Sequence, residues 1–243
     1  LPSLLKIENA SPKVENLPNI NPIARIMTAS NRNMTIYGIL GVSPNETRFT
    51  HLDEIVKTGE YPNNGEDAML ISAEARGKLG LSLNERVQFY VYGSSIPIAN
   101  FTIKGFFDDQ EYAQVVDLDG RPFGPLRVVG NETAMCNGTD VAIMNWEVAL
   151  ELQRKADALP TGAPQLAVLS RVVFQLPKTE NIDEATRALT FVYAYDVYVS
   201  DNGRVTRHYL GFYYEAKGVA EILIPLTMVG LNVGAVMLNA VYE

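Results

Sequence analysis

Val141-Ala-Ile-Met-Asn145-Trp-Glu-Val-Ala-Leu150-Glu-Leu-Gln-Arg-Lys-Ala-Asp-Ala-Leu159-Pro160 passes from one structural period to another without a break. The apolar run 141–144 is too short for a helix and reads as a buried strand. Asn145 is placed to cap a following helix, in which Trp146, Ala149, Leu150 and Leu159 recur at helical spacing before Pro160 ends it. The alternation continues downstream. Residues 168–176 read as a strand, and Asn181-Ile-Asp-Glu184 imitates a capping box ahead of an apolar stripe of Ile182, Ala185, Leu189 and Val192. Residues 195–199 return as a strand, which Asp201-Asn202-Gly203 turns into a further strand over 205–214. Residues 141–200 therefore spell β-α-β-α-β.

Upstream the grammar differs. In Ala68-Met-Leu-Ile-Ser72-Ala-Glu-Ala-Arg-Gly-Lys-Leu79-Gly80-Leu81, a short apolar run leads to a helix with Ser72 as its N-cap and Gly80 as its stop. Residues 87–92 and 98–107 are rich in β-branched and aromatic side chains, and Gly93-Ser94-Ser95 joins them as a hairpin. Residues 23–42 read as two strands around Asn31-Arg32-Asn33. The Asn- and Pro-rich residues 1–22 read as loop with a short helix, and 45–67 and 108–140 as connections. The expected class is α+β in two subdomains.

Composition removes many functions. Hydrophobic residues make up 47% of the 243, which excludes wholesale disorder. Twenty Lys and Arg against 28 Asp and Glu give a net charge of −8, so a nucleic-acid partner is not expected. One cysteine and two histidines leave no thiolate or histidine set for a metal, and no phosphate-binding loop or nucleophile elbow occurs, so no cofactor and no enzymatic activity are expected. Asp108, Asp109 and Glu111 read as a hydrated strand exit. Asp117-Leu-Asp119-Gly120 has no glutamate at the distance a calcium loop requires and reads as a solvated turn. His51 and His208 read as surface histidines, and Cys136 as an inert thiol.

Six N-x-S/T sequons begin at Asn9, Asn33, Asn45, Asn100, Asn131 and Asn137, where 18 Asn and 24 Ser or Thr predict about two by chance. The excess points to a glycosylated outward-facing surface, with Asn9, Asn33, Asn45, Asn131 and Asn137 as acceptors and Asn100 disfavoured because it borders a strand. A lone Cys136 favours a prokaryotic, archaeal surface over a metazoan secreted one. Leu1 is not a methionine and no basic leader precedes it, so the chain is expected to be an excised or processed piece. Residues 222–242 carry no charge for 21 positions. As a helix they would extend roughly 31 Å, the thickness of a bilayer's hydrocarbon core. A buried core helix is the competing reading, kept open by Pro225, Thr227, Asn232 and Asn239. Tyrosines at 193, 195, 198, 209, 213 and 214 read either as sheet-facing aromatics or as an interfacial belt.

Four stretches, in this order, resemble the extracytoplasmic (MacB-like periplasmic core) domain of FtsX/MacB-type ABC transporter permeases. They are Ile36-Tyr-Gly-Ile-Leu-Gly-Val-Ser-Pro44, then Lys57-Thr-Gly59-Glu-Tyr with Ala68 to Leu81, then Phe101-Thr-Ile-Lys-Gly-Phe106, and finally Ile224-Pro-Leu with Met237-Leu-Asn-Ala-Val-Tyr-Glu243. Asn84-Glu85 departs from the Gly-Asp turn usual in the family. The resemblance implies a discontinuous porter-like α+β domain over 1–45 and 140–217, a β-rich insert over 46–139, and the start of a transmembrane helix over 218–243. It also implies a cell-membrane location with this region outside, a separate ABC ATPase subunit, a second permease copy as a further partner, and no catalytic residues. The expected function is to couple ATP-driven motion to substrate export or partner engagement. The rival class is a surface-anchored, adhesin-like glycoprotein binding module, and a weaker one is a surface hydrolase using dispersed carboxylates such as Asp108, Asp109 and Glu111.

Overall fold

The computed structural model describes residues 7–160, 163–201 and 203–210. The strands are β1 (Glu8–Glu15), β2 (Ala24–Thr28), β3 (Asn33–Ile36), β4 (Gly38–Val42), β5 (Val56–Gly59), β6 (Ala68–Ser72), β7 (Arg86–Val91), β8 (Pro97–Phe107), β9 (Leu126–Val129), β10 (Glu132–Met135), β11 (Val141–Asn145), β12 (Val168–Gln175), β13 (Val197–Asp201) and β14 (Arg204–His208). The helices are α1 (Thr47–Thr50), α2 (Ala73–Leu79), α3 (Asp109–Tyr112), α4 (Trp146–Asp157) and α5 (Ile182–Arg187). The class is mixed α+β, dominated by sheet.

One ten-stranded sheet runs β12-β1-β4-β11-β6-β8-β7-β2-β3, with β5 added to β8. The pairs β4–β11 and β6–β8 are parallel, and the other pairs are antiparallel. β3 and β4 are consecutive halves of one stretch bent at Tyr37. β3 pairs with β2 while β4 pairs with β11, so the pairing closes on itself and the sheet curls into a circuit. β1 and β12 extend from this circuit beside β4.

Burial explains why the three middle strands read as unbroken apolar runs. Every residue of β4, β6 and β11 is buried, because both faces of these strands are covered. Their side chains still alternate. Ile39, Met69, Ile71, Ala142 and Met144 enter one core with residues of β2, β3, β7, β8, α2 and α4. Leu40, Val42, Leu70, Val141 and Ile143 enter a second core on the opposite face, closed by Leu52, Ile55, Tyr112, Phe123 and Cys136. Residues from 1–45, 46–139 and 140–210 contribute to the same sheet and to both cores.

The caps stand where the sequence places them. Asn145 accepts from Glu147 N, and Asn181 accepts from Asp183 N and Glu184 N. Ser72 Oγ accepts from Glu74 N and Ala75 N at 3.0 and 3.1 Å and donates to Asp109 Oδ2 at 2.6 Å. Gly80 closes α2 in the left-handed region at φ 62°. Ser72→Ala is expected to lower stability by about 2 kcal/mol, at the upper end of the usual cap range, because it also strips the carboxylate of its hydroxyl donor. Urea unfolding followed by circular dichroism checks this.

Several expectations need correction. Residues 8–15, read as loop or helix, form β1. Pro12 hid it, but at that point β1 is laddered only to β12, where a missing N–H is tolerated. The connection 45–67 contains α1 and β5, and 108–140 contains α3 and the hairpin β9–β10. The stripe expected over 182–192 does not face inward as a unit. A π-type turn over Ala188–Val192 shifts the helical phase, so Ala185, Thr186 and Thr190 are buried while Val192 is exposed. β12 pairs with β1, and β13 with β14, so the last two strands of the β-α-β-α-β series do not join β11. Among the described residues no helix is long and apolar enough to cross a membrane. The run 222–242, and with it the expected helix over 218–243, lies outside the described residues.

Candidate functional site

The main concentration of buried charge lies where β1 and β12 leave the circuit. Lys13 of β1 stands directly opposite Arg171 of β12. Two cations facing each other across a ladder repel, so the position demands carboxylates. Glu46 supplies one from the turn Pro44–Glu46 and is wholly buried. Its Oε1 lies 2.6 Å from Arg171 Nη2, and its Oε2 accepts from Ser11 Oγ at 2.6 Å. Asp117 supplies another, bridging Arg171 Nη1 through Oδ1 and standing 3.7 Å from Lys13 Nζ through Oδ2. Glu15 Oε2 is 3.3 Å from Lys13 Nζ.

Phe123 completes the arrangement. Its buried ring lies 4.5 Å from Lys13 Nζ and 5.1 Å from the Arg171 guanidinium carbon, so two cations use one aromatic face system. Burial pushes the Lys13 ammonium below the ordinary lysine range, against the pull of Glu15. The oxygens of Glu46 and the oxygens of Asp117 already face donors, so the cluster acts as a clasp. It joins the β1–β12 ladder, the turn after β4 and the loop carrying Asp117 and Phe123.

Asp117 therefore does more than open a solvated turn: its side chain is only 11% exposed and tied to both cations. Asp108 caps α3 through Gln110 N and Glu111 N. Asp109 is held by Ser72, and Glu111 pairs with Lys57 at 2.6 Å, so these three carboxylates serve three separate contacts. His51 and His208 are exposed, His51 at φ 52° beside Glu54. Among the described residues no group of His, Cys, Asp and Glu has the arrangement of a metal site.

Cys136 is buried against the second core, and that burial pushes its thiol up to about 12, although Arg127 nearby acts in the opposite direction. Iodoacetamide at pH 8 is expected to leave it unmodified in the native protein and to modify it fully in denaturant, as read by intact mass. Folding raises the value, so the unfolded thiol ionises first. The stabilisation from burying the neutral thiol is complete below the ordinary thiol range and declines as pH rises toward about 12.

The sequons fall into two groups. Asn33, Asn100, Asn131 and Asn137 are exposed, Asn131 at the turn between β9 and β10 and Asn137 just after β10. Asn9 and Asn45 are half-buried, with amides donated to Gln175 Oε1 and Ala10 O at 3.1 Å each. The hydroxyl of the Asn9 sequon, Ser11, is committed to Glu46.

Lys13, Glu46 and Arg171 were not singled out by sequence reasoning. Arg171 alone carried a signal, a lone cation in an apolar run, which ordinarily marks a solvent-facing position; Lys13 sits in an Asn- and Pro-rich stretch and Glu46 at the start of a polar connection. Compared with known proteins, the chain matches no family model. No curated protein matches it either.

Proposed function

We propose that this chain is the extracytoplasmic domain of an ABC transporter permease of the FtsX/MacB type, coupling ATP-driven motion to export or partner engagement outside the membrane. One observation carries the reading: the resembling stretches inside the described region, separated in sequence, meet around β8. Lys57-Thr-Gly59 lies in β5 and pairs with β8 through Gly59 and Gly105. Ala68 to Ser72 forms β6 on the other edge of β8. Ile36 to Val42 reaches β6 through β11. Three degenerate motifs in the right order are weak evidence singly, but strands that assemble into one unit are what a shared architecture requires. In this reading the porter-like domain and its β-rich insert over 46–139 share one sheet, and the clasp transmits displacement between the β1–β12 ladder and the segments 44–46 and 117–123.

The test is to purify the intact membrane protein in mild detergent from its own cell and identify its partners by mass spectrometry. A co-purifying subunit with an ABC-type phosphate-binding loop is expected. Its absence from a preparation that retains the membrane segments would overturn the proposal. The same material is expected to carry glycan at Asn131 and Asn137, both exposed; the mass of the bare polypeptide would refute that expectation.

A further inference from the structure

The end of the described chain presents an apolar surface unlike the rest of the molecule. Phe191, Val192, Tyr193, Tyr195 and Tyr209 are each 55–67% exposed. A groove, a ring stack and one ion pair link four of them. Phe191 and Tyr209 line one groove of about 240 Å³ between α5 and β14, together with Arg207 and the buried Thr190. The Arg207 guanidinium lies 4.9 Å from the Tyr209 ring and 2.5 Å from Asp196, which follows Tyr195. Tyr195 stacks on Tyr193 with ring centroids 6.2 Å apart. Elsewhere on the described surface the exposed large apolar side chains occur singly or in pairs along the chain.

We propose that this patch rests in the headgroup layer of a bilayer. Three features select that occupant. First, the patch is built mainly of tyrosines with an arginine threaded among them, side chains that pair an apolar body with a polar tip and concentrate at membrane–water interfaces. Second, the uncharged run 222–242 begins twelve positions after Leu210. Even fully extended, that link spans only about 40 Å, which keeps the patch near any bilayer the run enters. Third, Arg207 is held among the rings by Asp196 and two tyrosines, and Arg187, which lines the same groove, adds an exposed cation suited to the phosphates of the headgroup layer. The inference rests on the reading of 222–242 as a membrane span, and adds that the folded domain itself touches lipid.

The test reconstitutes the full chain carrying Tyr195→Trp, and separately Tyr193→Trp, in phosphatidylcholine vesicles containing lipid brominated just below the headgroup. Both sites are exposed, so either variant serves if the other fails to fold. Trp146, the only native tryptophan, packs against the main core and sets the background. The introduced indole is expected to emit to the blue of a water-exposed one and to lose most of its intensity to the brominated lipid, while the parent chain keeps its own. Incorporation with water-like, unquenched emission overturns the patch and leaves the membrane span standing. Blue emission that is unquenched and reverts on dilution assigns the patch to a second copy and overturns the proposal. A chain that does not float with the vesicles overturns both readings.

Discussion

Glu46→Ala is expected to destabilise the protein by about 3–5 kcal/mol, the usual cost of removing one partner from a buried ion pair. The loss follows from what remains. Arg171 keeps its charge with a side chain only 18% exposed, Ser11 loses the acceptor for its hydroxyl, and the repulsion between Arg171 and Lys13 is less well offset. Replacing Glu46 and Arg171 together with methionine is expected to recover most of that loss, because no charge is then stranded. Urea titration of the parent, single and double variants checks both statements. A single variant within about 1 kcal/mol of the parent would mean that the clasp is no stronger than a surface pair.

Gly59→Ala is expected to cost about 2–5 kcal/mol, combining a left-handed backbone with a backbone collision. Gly59 has φ 91°, and a Cβ there would fall on the carbonyl oxygen of Lys104 and 2.6 Å from Gly105 Cα. Both obstacles are main chain of the adjacent strand, so relief means parting β5 from β8. Gly65 provides the control, since it also has positive φ, at 65°, but open space around its missing side chain. Gly65→Ala is expected to cost only the backbone term of about 1 kcal/mol. Equal midpoints for the two variants would show that the β5–β8 contact yields without cost.

Local chemistry was legible in the sequence, and long-range chemistry was not. Ser72, Gly80, Asn145 and Asn181 could be read because each cap acts on an amide or carbonyl within a few residues. β4, β6 and β11 could be read because strands covered on both faces need no polar alternation. β1 escaped because Pro12 and a left-handed Asn9 at φ 50° mimic a loop, while the strand's support comes from residues 168–175. The clasp escaped for the same reason: Glu46 and Arg171 are 125 positions apart, and nothing near either announces the other. Asp117 shows both regimes in one side chain. The turn it starts was read correctly, with Gly120 at φ 77°, but its bond to Arg171 belongs to the tertiary fold.

The β1–β12 ladder has a consequence for mechanical load. Glu8, near the entry of the described chain, is registered against Gln175 at the exit of β12. Tension drawn between these two points acts at one end of an antiparallel pair, so it peels the rungs in succession rather than sliding the strands against one another. The peeling front meets Ser11 and then the Lys13–Arg171 rung, where Glu46 and Asp117 tie the ladder to other segments. The clasp is thus a stop in the path of tearing: the outer rungs can yield and re-form while the curled sheet behind them keeps its shape.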